Sequence, residues 1–204
     1  MRENEAIYTE KKNGLTIKIY QSDCHESPRE WDNLGTMVCF HRRHELGDKH
    51  TMSIEEVQEL MQSKDIVALP LFLYEHSGMT ISTDNSRYPF NCRWDSMQVG
   101  YIYVTKEKIK AEYGNAGKKS IERAINCMVG EVKEYDNYLT GNVYSYVIED
   151  EQGENIDSCS GFFGDYDNED FGALTEARSA VDYHTNDGTT DSAGQVLLPA
   201  LAGC

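Results

Sequence analysis

Three short stretches of this 204-residue chain hold the residue types best suited to chemistry. The densest is His41-Arg42-Arg43-His44 with Asp48 and His50, since imidazole and carboxylate are the donors that divalent metals take from proteins. His41 and His44 lie three positions apart and share a face only on a helix. The run before them, Thr36 to Phe40, is short and apolar like a strand, which would turn them to opposite faces. The expected arrangement is a surface loop whose Arg pair meets carboxylates; the alternative is a metal site at His41, His44 and Asp48.

For hydrolytic chemistry the local candidates are His76-Ser77-Gly78 and Cys92-Arg93-Trp94-Asp95-Ser96, which make His76, Ser77 and Asp95 the residues to test. Neither stretch contains a G-x-S-x-G elbow or a phosphate-binding loop. A Ser before a Gly at a strand end is ordinarily a turn residue, and a Cys between Phe90 and Trp94 ordinarily belongs to the core. In the third stretch, Asp165, Asp167, Glu169 and Glu176 match positions 1, 3, 5 and 12 of a calcium loop. Position 6, which needs Gly for its sharp turn, is Asp170, and position 8, usually apolar, is Gly172. A solvated acidic loop is expected, and with it no cofactor; a divalent cation is the alternative.

The elements that must position these residues read as an α+β fold. Apolar alternation predicts strands over Leu15 to Tyr20 and Val143 to Glu149, and a short apolar run predicts one over Thr36 to Phe40. The most apolar segment, Ile66 to Tyr74, reads as a central strand with Met79 to Thr83 pairing back on it, Val99 to Val104 as another strand, and Ser158 to Gly164 as a last strand or a tight loop. Pro70 has no N–H for a ladder, which places it at an edge or a bulge. Ser53 and Glu56 form a capping-box signature for a helix to about Gln62 that buries Ile54, Val57, Leu60 and Met61. Thr105 caps a short helix ending at Gly114. Ile121, Ile125, Met128, Val132, Tyr135 and Leu139 mark one face of a long helix from Lys118 to Leu139, with Gly141 as its left-handed end. A short helix follows over Leu174 to Tyr183.

Strands and helices do not alternate regularly, so the fold expected is a single domain over residues 15–183, with one core and a mostly antiparallel or mixed sheet packed by one long helix and shorter ones. Residues 1–14 read as a loose N-terminal arm and 184–204 as a disordered tail. No stretch is apolar enough for a membrane span and no leader is evident, so a cytoplasmic protein is expected. Six scattered cysteines without a C-x-x-C pair fit buried thiols in a reducing compartment.

Charge narrows the function classes. The net charge is −16, and from Ser145 to Asp191 thirteen acidic residues stand against Arg178 alone. That field repels phosphates, which need Lys or Arg to displace their counterions, so no direct nucleic-acid contact is expected. It attracts basic protein surfaces. Tyr146, Phe162, Phe163, Tyr166 and Phe171 interleave with the carboxylates, and aromatics of this kind supply the anchors that charge alone does not. The expected binding residues are Asp165, Tyr166, Asp167, Glu169 and Asp170. Tyr135 reads as core, whereas Tyr144 and Tyr146 fit either core or surface.

Four segments taken together also resemble a known family: Asp32-Asn-Leu-Gly-Thr-Met-Val-Cys-Phe-His-Arg-Arg-His-Glu-Leu-Gly-Asp48, Leu69-Pro-Leu-Phe-Leu-Tyr-Glu-His-Ser-Gly-Met-Thr-Ile81, Cys92-Arg-Trp-Asp-Ser-Met-Gln-Val-Gly-Tyr-Ile-Tyr103 and Glu131-Val-Lys-Glu-Tyr-Asp-Asn-Tyr-Leu-Thr-Gly-Asn-Val-Tyr144. The family is one of bacteriophages and mobile elements of Gram-positive bacteria, and it brings no activity to transfer. The resemblance implies a setting in which small acidic proteins inhibit host defence, as anti-CRISPR or anti-restriction proteins do. The partner expected is then a basic host protein such as a nuclease. The competing expectation is a metal-dependent hydrolase built on His41, His44 and Asp48 with His76 and Ser77.

Overall fold

The computed structural model of the chain describes residues 5–22 and 26–186. Along them run β1 (Tyr8–Lys12), β2 (Leu15–Gln21), a 3-10 turn (Pro28–Glu30), β3 (Thr36–Cys39), α1 (Ile54–Met61), β4 (Ile66–Glu75), β5 (Met79–Ser82), β6 (Ser96–Thr105), α2 (Lys106–Tyr113), α3 (Lys118–Thr140), β7 (Val143–Glu149), β8 (Asn155–Phe163) and α4 (Ala173–Asn186). The fold class is α+β, as expected, with antiparallel pairing in both of its sheets. Among these residues no helix is long and apolar enough to cross a membrane.

The chain forms two compact units, a middle one and one made from its two ends. In the middle unit the strand order is β3-β6-β4-β5. Leu71, Leu73, Ile102 and Val104 of the sheet pack with Ala124, Met128, Val132 and Tyr135 of α3. The buried line of α3 runs Ser120, Ala124, Met128, Val132, Tyr135, one step around from the anticipated face, leaving Ile121, Ile125 and Leu139 half-buried. Small Ser120 and Ala124 let the helix approach the sheet, which apolar spacing alone does not register. Gly141 ends α3 in the left-handed region, at φ 73°. Pro70 sits in the half of β4 paired only to β6, beside a register shift at Leu71/Phe72. Its missing N–H therefore faces no strand. The Ser53–Glu56 box is complete, yet α1 buries only Val57, and Ile54 is 51% exposed.

In the other unit the order is β1-β2-β7-β8, and Ala173, Leu174, Ala177 and Val181 of α4 pack on Ile17, Ile19, Tyr146 and Ile148. Residues 8–12, expected in a loose arm, are instead the edge strand β1, in register with β2 from Tyr8↔Ile19 to Lys12↔Leu15. The turn between them is Asn13-Gly14, at φ 51° and 84°. Asn-Gly is the strongest two-residue hairpin signal, because both positions tolerate the positive φ of a turn that matches strand twist. Polar alternation hid the strand. Its inward side chains are held by charge, with Lys12 Nζ 2.6 Å from Asp182 Oδ2 and Arg178 paired to Glu10. Helix α4 runs past the expected Tyr183, so residues 184–186 of the anticipated tail are helical; residues 187–204 lie outside the described residues. The buried residues lie in two clusters, one beneath each sheet.

Candidate functional site

Residues 40–50 of the middle unit wrap a cleft of about 740 Å³ lined by Phe40, His41, His44, Leu46 and His50 among others. Beneath them lies Arg29, whose side chain is 3% exposed. Arg29 donates from Nε and Nη2 to the two Asp48 oxygens at 2.7 and 3.0 Å, from Nη1 to Glu131 at 3.1 Å and from Nη2 to the Gly35 carbonyl at 2.7 Å. Asp48 also accepts from Met37 N–H, and Glu131 from Leu34 N–H. The Tyr135 hydroxyl accepts from Gly47 N–H at 3.0 Å. A bidentate guanidinium fork and two half-buried carboxylates thus fix both ends of the loop.

His41 and His44 do come together, with their rings stacked at 5.2 Å between centroids. Their meeting point is Glu75, at the end of β4, with each Nε2 3.4 Å from one of its oxygens and Arg43 Nη2 at 2.8 Å. Desolvation pushes the Glu75 carboxyl up, but Arg43 and the two imidazoles outweigh it and hold it below its ordinary value. His41 Nδ1 accepts from the backbone N–H of Arg43 and His44 at 3.4 and 3.3 Å, which turns Nε2 toward Glu75. Asp48 faces Arg29 instead of the imidazoles, so His41, His44 and Asp48 do not form one ligand set. Among the described residues no three His, Cys, Asp or Glu side chains gather to hold a metal. His50 points Nε2 at the Cys39 carbonyl, 3.0 Å away, while its buried Nδ1 has no partner.

His76 and Ser77 are exposed on the turn between β4 and β5, where His76 N–H donates to the Gly78 carbonyl and its ring stacks along Tyr74. Asp95 is half-buried and accepts from Cys92 Sγ at 3.6 Å. The side-chain bond of Asp95 is local, while its carbonyl accepts from Glu75 N–H at 2.9 Å. Cys92 is half-buried beside Trp94, which is 88% exposed, so the expected core position is a surface loop. Cys127 and Cys159 are likewise exposed free thiols, not buried ones.

In the other unit, residues 164–172 form a closed loop whose hub is Asn168. Its side-chain oxygen accepts from Asp170 and Phe171 N–H, and its carbonyl from Gly172 N–H and the Thr175 hydroxyl, at 2.9 to 3.2 Å. Gly172 is required: a Cβ there would lie 2.6 Å from the Tyr166 carbonyl. Asp165, Asp167, Glu169 and Asp170 are exposed, while Glu176 sits in the first turn of α4. Tyr166, expected at the surface, turns its ring between Tyr8 and Tyr144, at 6.0 and 5.5 Å between centroids. Tyr146 is buried, and burial pushes its hydroxyl up to about 12. Of the two aromatic side chains on the loop, Phe171 turns outward, 64% exposed.

Comparison with protein-family models, with curated proteins and with solved structures finds no match for the chain. Sequence reading missed Glu75, Arg29 and Glu131. Glu75 adjoins His76 and ends an apolar strand, a position from which it was legible. No local signal joins Arg29 to Glu131 across 102 residues.

Proposed function

We propose that the protein is a cytoplasmic binding protein whose acidic unit engages a basic surface on a nucleic-acid-binding host protein and blocks it. The observation that carries this reading is Phe171, exposed on a loop that is braced from within by Asn168 and that also carries the exposed Asp165, Asp167, Glu169 and Asp170. Carboxylates draw a basic partner at long range, and an aromatic side chain held in place supplies the desolvated contact that makes the encounter last. Tyr166 braces the loop from below and is not itself a contact. The resemblance to proteins of mobile elements points to a nuclease or another defence protein as the target. The hydrolase reading has less support, because Asp48 is committed to Arg29 and His41 turns its Nε2 toward Glu75.

The test is affinity capture from a Gram-positive host lysate with the wild-type chain, with a variant carrying D165N, D167N, E169Q and D170N, and with Phe171→Ala. Basic nucleic-acid-binding proteins should be captured by the wild type and lost with either variant, and the capture should weaken as salt rises. A captured set unchanged by neutralisation and by salt would overturn the proposal.

A further inference from the structure

Each sheet ends in two edge strands, and three of the four are blunted. Three of the five residues of β1 are charged, Glu10, Lys11 and Lys12. Along β3 the chain returns as a bridge from Val38 to Gly47, and Asp48 N–H donates to the Met37 carbonyl while its carboxylate takes Met37 N–H. In β5, only four residues long, Ile81 N–H donates to Asp136. Such devices keep edges from pairing with other chains. The fourth edge, β8, is nine residues long, contains no Lys, Arg or Pro, and has Asp157 as its single charged side chain. Among the described residues it is the outermost strand of its sheet, and Asn155, Ile156 and Ser158 to Gly161 are exposed. Two features limit the usable edge. Gly161, at φ 89°, leaves strand geometry, and Ser158 N–H is held by Asp157 Oδ1 at 2.7 Å.

What flanks this edge selects its occupant. Asp150, Glu151 and Glu154 form the turn leading into β8, and Asp165, Asp167, Glu169 and Asp170 follow its end. A nine-residue strand spans roughly 30 Å, several times the screening length of about 8 Å at physiological salt, so the two acidic groups act as separate fields. A segment lying along β8 meets both only if its own positive charge is spread over its length. We infer that β8 takes up an extended segment of alternating basic and apolar residues from the partner as an added strand, with Ile156 and Cys159 contacting its side chains. The inference rests on the acidic-unit reading above and specifies how that unit docks. Strand addition gives affinity through main-chain hydrogen bonds, and the flanking charge gives selectivity. A second copy of this chain would bring like charge to the same edge and is disfavoured.

The experiment uses the full chain and a short synthetic peptide of alternating lysine and valine, with binding followed by titration and by amide hydrogen exchange. Exchange should slow within Asn155–Ser160. The same peptide N-methylated at alternate residues keeps its charge but loses strand donors, and it should bind about tenfold or more weakly, since each hydrogen bond lost is worth roughly a factor of five. A double variant, S158K and S160K, places like charge on exposed positions of the edge and should reduce binding similarly, with circular dichroism showing the fold retained. Equal binding of the two peptides overturns strand addition and leaves the acidic-surface reading standing. Binding of neither peptide overturns strand addition, and the lysate capture then judges the acidic surface separately. Equal protection by a glutamate–valine peptide, or a β8 already protected in a sedimenting dimer, overturns the choice of a basic occupant.

Discussion

Arg29 shows how a residue far from any reacting group can govern a site. Its guanidinium is the partner of both Asp48 and Glu131, so Arg29→Ala would leave two half-buried carboxylates facing one another. Removing one member of a buried charge cluster typically costs about 3–5 kcal/mol; that loss is expected in urea unfolding, together with release of residues 40–50. Arg29→Lys keeps the charge without the fork and should recover only part of it. Asp136 offers the opposite case. Burial pushes its carboxyl above the ordinary 3.8, although the Thr80 hydroxyl and Ile81 N–H, both donating to it, pull the other way. A raised folded value means that the folded state holds this proton more tightly, so its stabilising contribution is full below pH 3.8 and is lost as pH rises through the folded value. Asp136→Asn keeps an acceptor and has no proton to lose. Its stability relative to wild type should therefore improve between acid and neutral pH, and parallel unfolding curves at the two pH values would refute this.

At the scale of elements, close approach matters more than capping. Gly100 of β6 lies against β3, where an added Cβ would come within 1.9 Å of the Val38 carbonyl. A backbone atom in a strand cannot move aside as a side chain does, so Gly100→Ala should cost about 3 kcal/mol. Ser53→Ala removes the capping box of α1 and should cost only about 1 kcal/mol, because just Val57 of that helix is buried. Chemical denaturation of the two variants should rank them in that order. A larger loss for Ser53→Ala would show that α1 supports the middle unit more than its burial suggests.

The whole molecule carries −16 at neutral pH, and its end-derived unit has few cations, of which Lys12, Lys18 and Arg178 are already paired with Asp182, Glu149 and Glu10. Carboxylates left over on one unit repel one another and oppose its compact state. Raising salt from low to physiological strength should therefore raise the urea midpoint, while any complex with a basic partner weakens under the same change. A midpoint that falls with salt would mean that attractive pairs outweigh the repulsion.

Sequence alone determined the features set by neighbours along the chain. The helix ends at Ser53, Thr105 and Gly141 are local contests over free N–H and C=O groups, and the strands β2 and β7 follow from side chains alternating across a pleat. The Asn13-Gly14 hairpin belongs to the same class and was legible, though polar alternation in Tyr8–Lys12 hid it. The acidity near the C-terminus was likewise plain, because charge is a property of composition. Only the tertiary structure decided which residues meet. It brought His41 and His44 to Glu75, turned Asp48 to Arg29 and Glu131, packed Tyr166 while exposing Phe171, and sorted the buried residues into two clusters. The physical reason is that periodicity records which face of an element avoids water, whereas the partner on that face is fixed by packing among residues distant in sequence.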